Sequence, residues 1–566
     1  MKKQPKRKHP KHNTLKAYFD YSIEKYKNNI AFIELKNNTK ITFDDFGKKC
    51  IYAAWSLNKL LKKKNAKCAI IAENSIEYMI SYFSIVLSNN VVVLVAGDLD
   101  EETLAYQINH TDCETLFVSK QYITKIESIK NIKNNIIVLE ACEQSHYTKL
   151  NDLVLDGESN KEKVANYYNN LKVESNQPCQ ILFTSGTSGY NKAVVLSNEN
   201  VCCSVYSALE NFGRYDNTIS ILPFYHAYEN ACHTLPALFC GCTNHINDTL
   251  TRVMKNLKNT PAEMTVVVPM VLDTIAGRIK YEAKKLHATK YLKMGIKTSN
   301  LLRKIHIDMR EIWFEPVLSK FSSSLRTFVV GGAAVKTDTY DLLTSLGFVI
   351  INGYGETECA PLIACNTPEK QDRLSVGKVI TDMEVKIGEK DENGNGEIMV
   401  KGKGVMLGYY KDKKATKETI DENGWLHTGD LGHLNKKGEL FICGRSKNLI
   451  ILSNGKNIYP EELEMMLLKK IKYIEEVIVN TNESQTGIYA NVYLNEDFTK
   501  DKTSDEIYSK VKSDITIFNK KMPTYKYIND VKIFKEPFKK NINKKIVRSE
   551  IRKGYWYKLW KENCTN

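Results

Sequence analysis

The chain has 566 residues, and about 150 residues per domain predicts three or four folding units rather than one core. Its 42% hydrophobic and 26% charged residues exclude a mainly disordered or fibrous protein. No apolar run reaches the roughly 18 residues of a membrane-spanning helix, and no apolar segment follows the basic N-terminus as in a secretory signal. The sequence therefore predicts a cytoplasmic protein.

The net charge of +15 and the cysteines each suggest a function that the local pattern does not support. The lysines are spread over the whole chain, and only residues 2–11 form a basic cluster. Without a basic patch interleaved with aromatics, or a helix-turn-helix pattern, the charge does not indicate a nucleic-acid partner. The 14 cysteines contain no C-x-x-C pair, which excludes zinc-ribbon and thioredoxin chemistry and favours reduced thiols.

The first part of the chain, residues 14 to about 170, alternates helical patterns with short apolar runs. In CAIIAENSIEYMISYFSIVL a strand at residues 68–71 precedes a loop and a helix, and TLFVS and NIIVLEA are further buried strands. The most apolar run, IVLSNNVVVLVAG at residues 85–97, is interpreted as core strand. This alternation predicts α/β layers with mainly parallel strands.

The pattern continues from about residue 177 with five strand-like runs: QILFTS, TISILP, AEMTVVVP, LRTFVVGG and GFVIINGYG. Each ends in Ser, Gly or Pro, and ligands of such sheets bind beyond the carboxyl ends of the strands. Residues 272–321 are helical and basic. After about residue 367, short strands with Asn-Gly and Asp-rich turns predict a small antiparallel subdomain. The last 120 or so residues carry their own helices and strands, as expected of a separate α+β unit.

The most informative segment is ILFTSGTSGYNKAVVLSNEN, residues 181–200. A buried strand leads into Thr184 and a loop of small and hydroxyl residues, and Lys192 follows. Small residues let successive backbone N–H groups approach an anion, while hydroxyls and an ammonium group add donors and charge. The segment therefore predicts a polyphosphate site, and its spacing differs from a Walker loop.

Three further segments are weak alone. In VIINGYGETECAP the flat ring of Tyr354 stands between two glycines, where a purine can approach, and Glu358 offers an oxygen ligand to Mg²⁺. VVGGAAV, residues 329–335, allows a close backbone approach at another strand end. Asp430 precedes Arg445 by fifteen residues, and a carboxylate beside a guanidinium suits a ribose diol.

Together and in this order, the four segments resemble the adenylate-forming enzyme superfamily over residues 14–548. Within it the chain is most similar to the long-chain fatty acid–CoA ligases, through LPFYHAYEN, SNGKNIYPEELE and the long basic helical insert. The resemblance implies an α/β fold with layered α/β subdomains, a small antiparallel β subdomain and a smaller mobile C-terminal α+β domain. The expected divisions are a basic disordered tail at 1–13, a large adenylation domain at 14–447 and a lid domain at 448–566.

The resemblance also implies a role for each matching residue. The triphosphate of ATP would contact Thr184, Ser185, Gly186, Thr187, Ser188, Gly189 and Lys192. Mg²⁺ would lie near Thr184 and Glu358. The adenosine would be held by Gly332, Ala333, Tyr354, Gly355, Thr357, Asp430 and Arg445. The remaining assignments are an acyl-pocket border at His226, an interdomain hinge at Lys447, a pantetheine path at Gly455 and contact with the acyl-adenylate at Lys545.

The sequence departs from the superfamily pattern at both ends of the machinery. In the phosphate loop, Ser188 replaces Thr, Asn191 replaces Pro and Ala193 replaces Gly. Serine keeps the hydroxyl, and the loss of proline mainly reduces loop stiffness. In the C-terminal pattern Asn541 stands for Thr and Lys544 adjoins Lys545, so the register of the catalytic lysine is less well defined than that of the loop.

The implied reaction activates a fatty acid with ATP and Mg²⁺ and transfers the acyl group to coenzyme A. Two alternatives stay open: transfer to an acyl-carrier protein, and an inactive relative that only binds acyl chains or nucleotides, which the weakened C-terminal pattern favours. A third reading, a nucleic-acid-binding protein, has only the net charge in its favour. If the substrate is long-chain, the basic insert at residues 280–304 predicts peripheral contact with the inner face of the membrane.

Overall fold

The computed structural model describes residues 9–61, 64–129, 134–140, 146–184, 191–319, 321–322, 324–453, 456–481, 487–540 and 546–548. Its helices are α1 (Leu15–Lys25), α2 (Phe43–Leu61), α3 (Ile76–Leu87), α4 (Glu101–His110), α5 (Ile123–Ser128), α6 (Leu150–Glu158), α7 (Lys161–Asn169), α8 (Asn198–Asn211), α9 (Ala227–Glu229), α10 (Leu235–Phe239), α11 (Val253–Asn259), α12 (Pro269–Lys285), α13 (Thr289–Lys304), α14 (Arg310–Trp313), α15 (Glu315–Leu318), α16 (Thr337–Leu346), α17 (Lys413–Thr419), α18 (Pro460–Lys470), α19 (Glu496–Thr499) and α20 (Ser504–Asn519).

The strands of the first half are β1 (Ile30–Glu34), β2 (Lys40–Thr42), β3 (Lys67–Ile71), β4 (Val91–Val95), β5 (Cys113–Val118), β6 (Asn135–Val138), β7 (Thr148–Lys149), β8 (Pro178–Thr184), β9 (Lys192–Ser197), β10 (Asn217–Ser220), β11 (Thr243–Ile246) and β12 (Met264–Val267). Those of the second half are β13 (Thr327–Val330), β14 (Val349–Gly355), β15 (Leu362–Cys365), β16 (Ser375–Val379), β17 (Met383–Ile387), β18 (Gly396–Gly402), β19 (Gly408–Tyr409), β20 (Leu426–Leu434), β21 (Glu439–Arg445), β22 (Ile450–Ile451), β23 (Asn457–Ile458), β24 (Ile474–Thr481), β25 (Ile488–Leu494) and β26 (Ile528–Phe534).

Two large sheets with helices packed on them form the main body. In the first, the order is β17-β18-β20-β21-β16-β15-β14-β13-β12-β10-β11-β1-β2. Its stretch from β1 through β11, β10, β12 and β13 to β14 is parallel, and the pairs from β14 to β17 are antiparallel. The second sheet has the order β19-β9-β8-β4-β3-β5-β6-β7. These layers confirm the predicted α/β class, and the antiparallel strands extend the parallel sheet.

The last part of the chain forms the smaller α+β unit expected from the sequence. Strands β24, β25 and β26 make a three-stranded sheet, and α18 and α20 pack on it around buried side chains that include Leu463, Val479 and Val511. The contacts that join this unit to the main body include an ion pair between Lys472 and Asp338, a hydrogen bond from the Tyr459 hydroxyl to Asp391, and a salt bridge between Lys456 and Glu392.

One predicted strand begins as a helix. Residues 85–87 are the last turn of α3, whose N-terminus is capped by the Ser75 hydroxyl, and only Val91–Val95 form a strand. Every residue of α3 except Glu77 is buried, so the apolar run at its end carries no helical period to separate it from a buried strand.

A capping box at the start of α8 connects this helix to the segment that precedes β19. The Ser197 hydroxyl accepts from the backbone N–H of Asn200 at 3.2 Å, and Asn200 accepts from the N–H of Ser197 at 2.8 Å. The Asn200 amide also donates to the carbonyls of Lys403 and Val405, both at 2.8 Å. The segment that leads into β19 is therefore fixed against β9.

Candidate functional site

The phosphate-binding segment begins and ends on one antiparallel hairpin. Strands β8 and β9 pair so that Thr184 lies opposite Lys192. The predicted loop residues Ser185, Gly186, Thr187, Ser188 and Gly189 lie outside the described residues. The hairpin therefore brings the first hydroxyl and the ammonium group of the motif to the same end of the sheet.

Tyr409 connects this hairpin to the proposed metal carboxylate. Lys192 Nζ lies 4.6 Å from the centre of the Tyr409 ring, a cation–π distance. The Tyr409 hydroxyl donates to Glu358 Oε1 at 2.9 Å, and the Glu358 carbonyl accepts from Met406 N at 2.8 Å. Burial, and then the Glu358 charge, raises the pKa of Tyr409, so the phenol stays a donor. One aromatic side chain thus orients both charged groups.

The predicted nucleoside residues form a second connected group. The Tyr354 hydroxyl donates to Asp430 Oδ2 at 2.9 Å, and Arg445 Nε donates to Asp430 Oδ1 at 2.9 Å. Asp430 lies opposite Arg445 in the pairing of β20 with β21, and its backbone N–H is held by the Thr428 hydroxyl at 3.0 Å. An ionised carboxylate has about four acceptor sites, so ribose hydroxyls can bind beside these two donors.

Burial separates the roles in this group. The Asp430 side chain is 8% exposed and that of Arg445 is 47% exposed, so the carboxylate is anchored and the guanidinium is open to solvent. Burial raises the pKa of Tyr354, and the nearby Asp430 and Glu356 charges raise it further. The phenol therefore donates at every physiological pH.

Sequence analysis passed over Glu356, which adds a third carboxyl group between the two motifs. Burial raises the pKa of Glu356 well above its usual value, the charges of Glu358 and Asp430 raise it further, and Arg445 opposes them. Such crowding of acidic groups would be relieved by a cation. Only the position of this residue beside Tyr354 and Thr357 could have suggested it.

The donor set fits Mg²⁺ that arrives with a nucleotide. Over the described ranges, no three His, Cys, Asp or Glu side chains converge closely enough to hold a metal by themselves. Mg²⁺ in nucleotide enzymes is commonly bound by one or two carboxylates together with substrate phosphates and water. Glu358, beside the end of the phosphate hairpin, supplies such a carboxylate.

The glycines of the adenine segment do different things. At Gly331 an added Cβ would lie 2.8 Å from the Tyr228 ring, so this glycine admits the tyrosine. At Gly332, φ is +83° and nothing lies within 4 Å of an added Cβ, so this residue, like the exposed Ala333, leaves its surroundings open. At Gly355 a Cβ would meet the Pro361 carbonyl oxygen at 1.8 Å. Gly355 is therefore required for backbone packing, and Thr357 starts the short turn that follows it.

The acyl-side segment is built on buried polar contacts. His226 is exposed at the N-terminus of α9. Beneath it, His233 Nδ1 bonds to Glu229 Oε1 at 2.7 Å, and the other ring nitrogen of His233 contacts the Thr218 hydroxyl. In the part of the chain described, the Tyr228 hydroxyl and Glu229 Oε2 have no hydrogen-bond partner. These hydrogen bonds hold the segment that follows His226 in place.

The lid residues are only partly described. Lys447 lies in the short turn Ser446–Asn448, directly after β21, and burial followed by the Arg445 charge lowers its pKa. Gly455 and Lys545 lie outside the described residues. Arg548 binds Glu464 Oε2 at 2.5 Å and lies 3.6 Å from Glu461 Oε1 on α18. The C-terminal arginine is therefore tied to its own domain.

Two recesses in the described part of the surface lie away from the motifs. One of about 560 Å³ is lined by residues of α1 and α2, among them Lys16, Asp20 and Lys48. A smaller one of about 190 Å³ borders β16 and includes Lys370. Neither contains a motif residue, so the site is assigned from the hydrogen bonds that join the motifs.

Comparison with known proteins agrees with this geometry. The sequence signature described as AMP-binding enzyme matches residues 19–410, and that of the AMP-binding enzyme C-terminal domain matches residues 447–559. Fatty acyl-CoA synthetase B of Dictyostelium discoideum is 25% identical over 514 residues, covering 83% of this chain and 75% of the relative. The 2-succinylbenzoate–CoA ligase of Bacillus mycoides is 26% identical over 523 residues, covering 91% and 94%.

Among solved structures, that of the anthranilate CoA ligase AuaEII with anthranoyl-AMP superposes with a TM-score of 0.75. It is 18% identical and covers 96% of this chain and 98% of its own, which establishes a shared fold. The two matched domains span most of the sequence, and the second begins at Lys447, in the turn that follows β21. The chain belongs to the AMP-binding enzyme family, the adenylate-forming enzymes.

Proposed function

We propose that this protein is an acid–CoA ligase that uses ATP, Mg²⁺ and coenzyme A and acts on a fatty acid, most favourably a long-chain one. The observation that carries the proposal is the joining of separate motifs at one edge of the sheets. Tyr409 links Lys192 to Glu358, and Asp430 links Tyr354 to Arg445. Together they form a charged end for a triphosphate and an anchored acceptor for a ribose.

In the first half-reaction, the fatty-acid carboxylate attacks the α-phosphorus of ATP. A carboxyl oxygen–phosphorus bond forms, the bond from that phosphorus to the bridging oxygen breaks, and pyrophosphate leaves with the electron pair. Mg²⁺ supplies neutralisation of the phosphate charge when it is bound. Thr184 and Lys192 orient the departing phosphates, and Glu358 holds the metal's side of the cleft. Because the nucleophile is the substrate, the protein acts through position and electrostatics.

In the second half-reaction, the thiol of coenzyme A attacks the acyl carbonyl carbon. A thioester forms, AMP leaves, and the thiol proton is released. The assigned participants are Gly455 on the thiol path and Lys447 at the hinge, whereas Lys545 is assigned to the first half-reaction, at the acyl-adenylate. Rotation of the smaller domain about the turn at Lys447 would let one cleft serve both reactions.

The fatty-acid assignment is supported by the name of the Dictyostelium relative, a fatty acyl-CoA synthetase. The Bacillus relative, named for 2-succinylbenzoate, matches a larger share of both chains. An aromatic acid is therefore the specific competitor.

The test is carboxylate-dependent exchange of pyrophosphate into ATP, followed by AMP release with coenzyme A. A series of saturated fatty acids and 2-succinylbenzoate would be compared, with coenzyme A and a pantetheinylated acyl-carrier protein as acceptors. We expect exchange that rises with chain length, and AMP release with coenzyme A. Preference for 2-succinylbenzoate would contradict the fatty-acid substrate. Preference for the carrier protein would contradict coenzyme A as the acceptor, and no exchange with any acid would contradict the ligase activity.

A matched pair of variants tests the metal carboxylate. Glu358→Gln removes the charge but keeps an oxygen to accept from Tyr409, whereas Tyr409→Phe removes the hydrogen bond and keeps the charge. Losing a preorganised charge should lower the exchange rate by roughly 10²–10³-fold, partly restored by more Mg²⁺. Losing the hydroxyl donor leaves the Glu358 charge in place, so Tyr409→Phe should lower the exchange rate less than Glu358→Gln. Equal losses in the two variants would contradict the metal role.

A further inference from the structure

The basic insert forms two helices, and one face of α13 is not covered by the other residues that the structure describes. Met294, Leu301 and Ile305 are 62%, 63% and 63% exposed. They follow each other along one side of the helix at spacings of seven and four residues, which places them in a single stripe. The exposed rings of Tyr281 and Tyr291 flank the stripe.

The same stripe carries positive charge. Exposed Lys290, Lys297 and Lys304 alternate with the apolar residues, and α13 itself contains no acidic residue. Residues 269–305 have nine Lys or Arg and two Asp or Glu, and 9 − 2 gives an excess of seven positive charges. Within the described ranges, no salt bridge forms to any of these three lysines. We call Lys290, Met294, Lys297, Leu301, Lys304 and Ile305 the α13 face.

The opposite side of α13 is firmly packed, so the orientation of the helix is set by the fold. Leu292 and Ile296 pack against the buried core beside β12 and β13, and Ser299 is fully buried. The Asn300 amide donates to the Ser345 hydroxyl on α16 at 3.1 Å. The α13 face therefore points away from the body in the folded protein.

Charge decides which partner suits this surface. A second copy would bring two strongly positive faces together, and like charges oppose that contact. An anionic lipid surface offers both complements at once, because lysines pair with headgroups while neighbouring apolar side chains enter the boundary of the acyl chains. A basic amphipathic helix with exposed aromatic neighbours is typical of interfacial binding.

We propose that the α13 face binds the surface of an anionic lipid membrane. Helix α12 begins at Pro269, directly after β12, whose carboxyl end lies at the same sheet edge as that of β13. Resting on the proposed function, this connection would place the acyl side of the cleft beside the membrane in which a long-chain acid dissolves. The membrane binding itself does not depend on the substrate.

The test is co-sedimentation of the full-length protein with vesicles of phosphatidylcholine, with and without phosphatidylglycerol. The charge variant Lys290→Gln, Lys297→Gln, Lys304→Gln should weaken binding to the anionic vesicles by roughly 100-fold, about fivefold per lysine. The apolar variant Met294→Gln, Leu301→Gln, Ile305→Gln should weaken it by roughly tenfold or more. Binding should fall steeply with added salt.

A control replaces three exposed lysines elsewhere with glutamine, at Lys161, Lys163 and Lys172. We expect the control to bind vesicles like the unaltered protein, and all variants to keep pyrophosphate exchange with a short-chain acid. Failure of the unaltered protein to bind anionic vesicles, or equal binding by the face variants and the control, would overturn the inference. A dimer of the unaltered protein that is lost in the face variants but kept in the control would also overturn the inference. If the unaltered protein showed no pyrophosphate exchange with any acid, the proposed function would be overturned instead.

Discussion

Asp430 is the residue at which the nucleoside assignment is most sharply tested. It accepts from Tyr354 and from Arg445, each at 2.9 Å, and is almost fully buried. Asp430→Asn keeps the size and one carbonyl oxygen, but it removes the charge and turns one acceptor into a donor. The variant therefore faces the Arg445 guanidinium or the Tyr354 hydroxyl with an N–H group.

The expected size follows from these two contacts. Losing one hydrogen bond to a charged group costs about 1.5–3 kcal/mol, which corresponds to a roughly 10- to 150-fold decrease in kcat/KM for ATP. Tyr354→Phe removes only the hydroxyl donor and leaves Asp430 its charge and its bond to Arg445, so the decrease should be smaller than that of Asp430→Asn. Because the hydroxyl acts through Asp430, the double variant should lose less than the product of the two decreases.

The assay measures initial rates of pyrophosphate exchange over a range of ATP concentrations, with the melting temperature of each variant recorded beside them. We expect the Asp430→Asn effect mainly in KM for ATP, with KM for the carboxylic acid unchanged. A lower melting temperature together with an unchanged KM for ATP would refute the nucleoside role and leave a structural ion pair.

Three further changes probe the carboxyl cluster and the lid. A raised folded-state pKa means that the stability from Glu356 is complete below the ordinary glutamate value and is lost as pH rises through the raised value. Glu356→Gln should therefore raise the melting temperature near pH 8 but not near pH 4.5. An equal shift of the melting temperature at both pH values would contradict the burial effect. Lys447→Pro fixes φ in the turn after β21 and should spare pyrophosphate exchange while suppressing thioester formation; unchanged overall turnover would refute the hinge. Lys545→Ala should lower exchange by roughly 10²–10³-fold but leave thioester formation from supplied acyl-adenylate nearly intact, and equal loss in both half-reactions would contradict the assignment.

The length and hydropathy of the helices bear on membrane spanning. Among the helices that the structure describes, none is both long and apolar enough to cross a bilayer.

Much of the architecture could be predicted because it is written in local patterns. All five runs from QILFTS to GFVIINGYG form strands, β8, β10, β12, β13 and β14, since short apolar runs that end in Ser, Gly or Pro leave little choice of structure. The helices and strands predicted after Arg445 are likewise present as α18, α20, β24 and β25. The strand predicted over residues 85–97 was wrong for residues 85–87, which end α3, because burial on all sides removes the periodic signal.

The sequence by itself determined the family and the motif residues, since each motif is a contiguous stretch whose composition limits its chemistry. It could not reveal Tyr409, which lies 217 residues from Lys192 and 51 from Glu358 and meets both only because β19 pairs with β9. Nor could it tell that Gly355 makes room for a carbonyl group, or that Glu356 joins two other carboxylates. Those facts depend on which strands become neighbours, and that choice is made by the packing of the whole chain.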